Sequence, residues 1–389
     1  TIMALATALF ASLIFPYAGS VPAGLPTIYG FGCADKQDPY APDMPNRWKD
    51  GQGTTCWDYS YQYLVPGWAT WSSPTGQWAV DELKYWEARG QIQVFTYYYS
   101  YGSRAWFQNS TNMTGYWRDL KTLFQVINAN STKKVIVHFE PDGIGFWRQA
   151  NINPTSTGSV LVGSVSGASG VTEINGLPDS LQGWSLGIKR LRDTYAPNKA
   201  LIAHHYTHWA TGSDVFVTDV NSSTQSGCDS HVDNMTNYML NIENGAANAF
   251  DLFFVDPSDR DAAWYDAFGA GGRWTADTWG GFASTRTWGR IGYIVNRVST
   301  NLNRRGMMWQ IPEGNEYYTT CNNSDGHYKD DHSREAFLRD GTGGPGYGYT
   351  STTDATNGPG FWANHGIIAT LFGSGYYGSK PPDGNNVTH

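Results

Sequence analysis

The chain has 389 residues, a formal net charge of −8, and 15% charged side chains where typical domains carry about 25%. That acidic balance lacks the basic patches nucleic acid requires, and no segment has the form of a phosphate cradle, so nucleic acid is excluded as a partner. The length suits a single α/β barrel with long loops.

The first twenty residues, Thr1–Ser20, are apolar and carry no charged side chain. They match the apolar region of a signal peptide, and Ala18-Gly19-Ser20 offers small residues for cleavage. The stretch is short for a membrane span and Pro16 interrupts it. We therefore expect residues 1–20 as a signal peptide and 21–389 as one barrel domain. A retained segment would instead serve as a membrane anchor or an assembly helix, giving a homo-oligomer or filament.

Short apolar runs then alternate with amphipathic stretches, the rhythm of a parallel sheet. The runs predicted as strands are Thr27–Gly30, a weak one at Tyr61–Val65, Gln93–Tyr98, Lys134–Phe139, Ala200–His205, Leu252–Val255, Met307–Ile311 and Gly366–Phe372. Between them fall helices at Trp78–Arg89, Tyr116–Asn128, Ser185–Tyr195, Val232–Asn244, Arg290–Asn303 and Arg334–Arg339. Trp117, Leu120, Phe124 and Ile127 form the stripe of a helix packed on a sheet. Pro197 stops the helix that ends at Tyr195. This order favours a single (β/α)8 TIM barrel over an open doubly wound sheet. Asp35–Thr55, Thr155–Ser180 and Tyr317–Asp331 are then expected as loops over the C-terminal mouth.

Four cysteines, Cys33, Cys56, Cys228 and Cys321, contain no C-x-x-C pair. An even, sparse set suits disulfides that tie the loops, and Cys33–Cys56 with Cys228–Cys321 is the favoured of three pairings. Glycosylation sequons begin at Asn109, Asn112, Asn130, Asn221, Asn234, Asn322 and Asn386. Together these features predict a secreted, extracellular protein.

The most informative segment is Val135-Ile-Val-His-Phe-Glu-Pro-Asp-Gly143. A β-branched run stopping on Glu140-Pro141-Asp142 reads as a buried strand with carboxylates at its C-terminal end, where barrels place their chemistry. Glu313 lies just past Met307–Ile311, and Asp256 ends Leu252–Val255. Asp259 and Asp261 flank Arg260, in an arrangement that equally suits a network locking a loop. Aromatic residues are numerous, with 17 Trp and 24 Tyr. Flat rings with polar tips suit a groove for sugar rings, or else the pinning of long loops. At expected mouth positions stand Tyr97, Tyr99, Trp209, Trp264, Trp279 and Trp309. His204 and His205 alternate on a strand and so face opposite sides; a shared metal ion is not expected, and His205 is placed to contact a substrate hydroxyl. No H-E-x-x-H pattern occurs, and Gly163-Ser-Val-Ser-Gly167 does not match a nucleophile elbow. No cofactor is expected.

Phe139-Glu140-Pro141 and Trp309-Gln-Ile-Pro-Glu313 resemble the ends of strands 4 and 7 in the retaining glycoside hydrolases of clan A. His138-Phe-Glu-Pro-Asp142, Asp259-Arg-Asp261, Gly314-Asn315 and Leu371-Phe-Gly-Ser-Gly375 are also similar to secreted microbial carbohydrate-active barrels. The likeness spans most of the chain, with Phe139 standing where the clan carries Asn. It implies Glu140 as the general acid/base and Glu313 as the nucleophile, with Asp256 as its substitute. Asp142, Gln310 and Asn315 join His205, Asp259, Asp261 and the mouth aromatics as expected substrate contacts, with Asp142 alternatively tuning the proton on Glu140 by its like charge or capping the next helix. The chemistry needs one carboxyl protonated and one ionised about an oxocarbenium-like centre. Burial among aromatic rings would keep Glu140 protonated, unless an arginine pairs with it. The expected function is hydrolysis of a neutral, β-linked polysaccharide. Two alternatives remain: a non-catalytic structural or assembly barrel, and a carbohydrate-binding barrel.

Overall fold

The computed structural model describes residues 19–34, 57–100, 103–212, 214–216, 225–257, 288–311 and 358–372. Eight parallel strands close on themselves in chain order: β1 (Gly30–Ala34), β2 (Tyr59–Leu64), β3 (Ile92–Tyr97), β4 (Val135–Phe139), β5 (Ala200–Tyr206), β6 (Leu252–Val255), β7 (Gly306–Ile311) and β8 (Ile367–Phe372). Each strand pairs with the next, and β8 pairs with β1. The longer helices are α1 (Gln77–Glu87), α2 (Ser110–Asn130), α3 (Gly143–Gln149), α4 (Leu181–Tyr195), α5 (Gln225–Glu243), α6 (Trp288–Leu302) and α7 (Gly358–Asn364). The fold is the expected (β/α)8 barrel.

The strand period of two divides the core in two. Tyr59, Tyr61, Ile92, Val94, Ile136, Leu201, Ala203, Leu252, Phe254, Met307, Trp309 and Leu371 fill the lumen. Phe95, Tyr97, Val135, Val137, Phe139, Ile202, Tyr206, Phe253 and Val255 face the helices. On the helical side, α2 buries Met113, Tyr116, Trp117, Leu120, Leu123, Phe124 and Ile127. Each large apolar side chain so buried contributes about 1.5–3 kcal/mol. Asn109 caps α2 by accepting from the Asn112 N–H, and the Ser180 side chain does the same for α4. Asn151, Asn244 and Asn303, just past α3, α5 and α6, take the left-handed conformation that ends a helix.

Two expectations are corrected. Strand β1 starts at Gly30, where the expected run ends. Gly30 and Gly32 look like turn residues, yet a Cβ at Gly32 would lie 2.5 Å from Leu371 and 2.7 Å from Tyr59. The glycines make room for large lumen residues on both neighbouring strands. The second correction concerns Thr155–Ser180, which does not lie over the mouth. Val160, Val162, Val165, Val171 and Ile174 are buried in the layer outside the sheet. Trp117 Nε1 on α2 donates to Leu161 O, tying the segment to the helical layer. The expected loops Asp35–Thr55 and Tyr317–Asp331 and the expected helix Arg334–Arg339 lie outside the described residues, as do residues 1–18. Among the described residues, no helix is long and apolar enough to cross a membrane.

Candidate active site

Two non-glycine residues with positive φ sit at the C-terminal rim, and each changes the face its side chain should use. Ile136 points into the lumen and His138 meets the lumen-facing His205, so alternation would send Glu140 inward as well. Its φ of 44° breaks that alternation. The Glu140 carboxyl instead receives the Tyr99 N–H at 3.1 Å, the Ser100 N–H at 3.2 Å and the Ser100 hydroxyl at 2.8 Å. It is fully buried. Burial pushes it up to about 8 against the lowering effect of those three bonds, and the charge of Asp142 adds to the rise. Glu140 is thus a clamp on the 99–100 segment and is closed off from the cleft it was expected to line. Among the described residues no arginine pairs with it; its donors there are the Tyr99 and Ser100 amides and the Ser100 hydroxyl.

Gln310 is the mirror case. Alternation past Trp309 would point it toward the helices, but its φ of 55° and the register break between Met308 and Ile311 turn it inward. Its amide donates to the Tyr63 hydroxyl.

Tyr63 is the centre of the mouth. Its ring lies 5.7 Å from Trp309 and 6.2 Å from Tyr98. Burial raises its hydroxyl well above the ordinary phenol range, with Tyr61, Asp256, Asp142 and Tyr98 all pushing the same way. Asp142, after β4, and Asp256, after β6, therefore both bear on one hydroxyl. Asp142 is at the N-cap of α3 but makes no capping bond; Tyr98 Oη donates to its Oδ2 at 2.8 Å. Both aspartates are half-buried.

The expected contacts Tyr97 and Tyr99 are corrected by the same period of two. Their rings stack 4.4 Å apart outside the sheet. Tyr97 donates to Tyr116 O and Tyr99 to Asp119. Tyr98, between them, is the residue that faces the mouth, and the Tyr61–Tyr63 alternation on β2 was the available signal for its neighbour. Trp209 is half-buried at the rim with Phe146 of α3, ring centres 5.0 Å apart. Trp309 is 2% exposed, its ring edge-on to His138 and His205. Asp259, Asp261, Trp264, Trp279, Glu313 and Asn315 lie outside the described residues.

His204 and His205 do face opposite ways. His205 Nδ1 meets His138 Nε2 in the lumen at 3.1 Å. Outside the sheet, His204 Nδ1 stands 3.2 Å from Glu243 Oε1, and Arg304 grips the same carboxylate through both Nη atoms at 2.5 and 2.7 Å. Burial alone would raise Glu243, but the Arg304 and His204 contacts outweigh it and hold the carboxyl at about 2. This buried triad joins β5, α5 and the chain just before β7. The described residues contain no cluster of three His, Cys, Asp or Glu able to hold a metal.

Cys228 is a buried free thiol on α5, pushed up to about 11 by burial. Cys56 and Cys321 lie outside the described residues, and of Cys33 only the β1 backbone is described. Asn109, Asn112, Asn130 and Asn234 occur on or at helices, with Asn234 Oδ1 accepting from Arg148; Asn221, Asn322 and Asn386 lie outside the described residues. At the opposite end of the barrel, an open depression of about 640 Å³ is lined by Lys133, Lys134, Lys199 and Asp58. Lys134 Nζ donates to Asn198 O and Lys199 Nζ to Asn128 O, so these ammoniums join loops to one another.

No protein-family model and no curated protein matches the chain. Among solved structures, it is similar to endoglucanase CEL6B from Humicola insolens at 12% identity, with a TM-score of 0.38, over 78% of this chain and 77% of that one.

Proposed function

We propose that the protein is a secreted glycoside hydrolase that cleaves a neutral, β-linked polysaccharide, with Asp142 and Asp256 as its carboxyl pair. The observation that carries this reading is the placement of two half-buried aspartates just past the ends of β4 and β6, Asp142 accepting from the Tyr98 hydroxyl at 2.8 Å, with the Tyr98 ring 6.2 Å from Tyr63. Glycosidic cleavage requires two carboxyls flanking the scissile bond, about 5–9.5 Å apart, and separate strand ends can supply such a pair. Asp142, held by Tyr98, is the group that exchanges a proton with the leaving oxygen. Asp256 activates water or attacks the sugar carbon from the other side. The rings of Phe146 and Trp209, tilted 59° to each other at the rim, offer two aromatic faces close in sequence to Asp142 and to the end of β5.

This assignment replaces Glu140, whose sealed carboxyl makes it a positioning residue. The test is reducing-end release from a panel of neutral β-linked polysaccharides. The wild type should release sugar, and D142N and D256N should each lose about 10²–10⁴-fold in kcat. Loss confined to E140Q and E313Q would return the pair to the one implied by the clan A resemblance. An inert wild type across the panel would remove the hydrolase reading.

A further inference from the structure

Barrel lumens are ordinarily closed by layers of branched aliphatic side chains. Here the layer beneath the mouth contains two histidines on adjacent strands. His138 Nε2 and His205 Nδ1 are 3.1 Å apart, and His138 Nδ1 lies 3.3 Å from Thr96 Oγ1 on β3. Phe254 on β6 stacks on His138 at 4.2 Å, and Trp309 on β7 meets the two imidazoles edge-on at 4.9 and 5.7 Å. Five strands and a continuous chain of polar atoms are therefore committed to a feature that the carboxyl pair does not use.

Burial holds both rings neutral. It takes His138 well below its ordinary range and His205 to about 3, with the neighbouring imidazoles of His204 and His208 acting in the same direction. A neutral imidazole has one N–H and one lone pair. In a chain of two, one N–H is spent on the internal bond, so one end of the chain donates and the other accepts. The Thr96 hydroxyl can serve either role at the inner end. His205 Nε2 at the outer end can therefore be donor or acceptor without any change of charge. His138 is 0% exposed and His205 5%, so the chain opens at His205. The Trp309 Nε1–H is also buried beside it and has no hydrogen-bond partner among the described residues. A native donor left in that condition calls for an acceptor.

We infer that Thr96, His138, His205 and Trp309 form a hydroxyl-reading subsite that admits a neutral sugar ring and rejects a uronate. The inference rests on the glycan reading above and narrows its substrate class. A sugar hydroxyl both donates and accepts, matching an imidazole end that can do either and an indole N–H that only donates. A carboxylate would have to shed its water beside two rings that stay neutral, and under two aspartates of its own sign.

The test is calorimetric binding of the whole chain to hexasaccharides: neutral β-linked gluco-, xylo- and manno-hexaoses against a β-linked mannuronate hexamer. The expected result is at least one neutral hexaose bound about tenfold or more tightly than the uronate. H205A should lose about tenfold in that affinity, and H205N, neutral with one donor and one acceptor, should recover most of it. Imidazole ¹⁵N spectra of the wild type at pH 6 should show neutral His138 and His205, with His205 shifting on saturation by sugar; this measurement stands even where a variant fails to fold. Equal or tighter uronate binding, unchanged affinity in H205A, or an imidazolium signal at pH 6 overturns the inference. Binding without hydrolysis removes the catalytic reading and leaves this one. Hydrolysis with no dependence on His205 does the reverse, and no binding of any hexamer removes both.

Discussion

Glu140 makes a prediction that separates a buried clamp from an open catalytic acid. Its carboxyl lies at about 8 in the folded chain against an ordinary 4.5. At about 1.36 kcal/mol for each tenfold change in proton affinity, the difference is worth about 5 kcal/mol. The folded state keeps a proton that the unfolded chain has already released, so the contribution is full below pH 4.5. It is lost progressively as pH rises to about 8. Glutamine removes the titration but offers one acceptor where Glu140 offers two, and the Tyr99 and Ser100 amides address different oxygens. One buried N–H then loses its partner, which costs about 1–3 kcal/mol at every pH. Urea unfolding of wild type and E140Q from pH 5 to pH 8 should therefore give curves that cross. The wild type is more stable by about 1–3 kcal/mol at pH 5, and E140Q is the more stable at pH 8. Parallel curves would refute the burial argument and with it the clamp.

Three further outcomes follow from particular contacts. Glu243→Ala leaves the buried Arg304 guanidinium without its carboxylate and should cost about 3–5 kcal/mol in urea unfolding at pH 7; a loss below about 1 kcal/mol would show the pair to be relaxed by water. With Glu243 held at about 2, its contribution is present above pH 4.5 and disappears only as pH falls from there toward 2. Gly183→Ala would put a Cβ 1.8 Å from Pro178 O, so the backbone must move; melting should reveal a loss of about 3 kcal/mol or more. Tyr98→Phe deletes the bond to Asp142 and should lower kcat about 10–100-fold while leaving the melting temperature nearly unchanged.

The barrel was legible because its strands are short β-branched runs punctuated by Gly and Pro, and because burial on both faces erases polar alternation. Where glycine served packing in place of turning, as at Gly30 and Gly32, the strand edge was misplaced. Helix α3 opens Gly143-Ile-Gly145 and α7 opens Gly358-Pro-Gly360, so local propensity hides both. The site was legible only to the level of strand ends. The string Glu140-Pro141-Asp142 marks the C-terminal end of β4, but which way the Glu140 carboxyl turns depends on its single positive φ, which no composition or spacing encodes. Tyr97 and Tyr99 were placed one residue out of phase, enough to exchange mouth for helix layer. The inward turn of Gln310 has the same origin, a bulge at the end of β7. The His138–His205 contact joins residues 67 apart in sequence and becomes visible only when β4 and β5 are set side by side.

The most direct test of the central claim is a crystal structure of the Asp142→Asn variant soaked with a neutral β-linked hexasaccharide. The account predicts the glycosidic oxygen within about 3 Å of the residue 142 side chain, with the Asp256 carboxyl on the opposite face of the adjoining ring. A sugar chain bound with its scissile bond away from both aspartates, or one engaged by Glu140 swung out of its clamp, would contradict it.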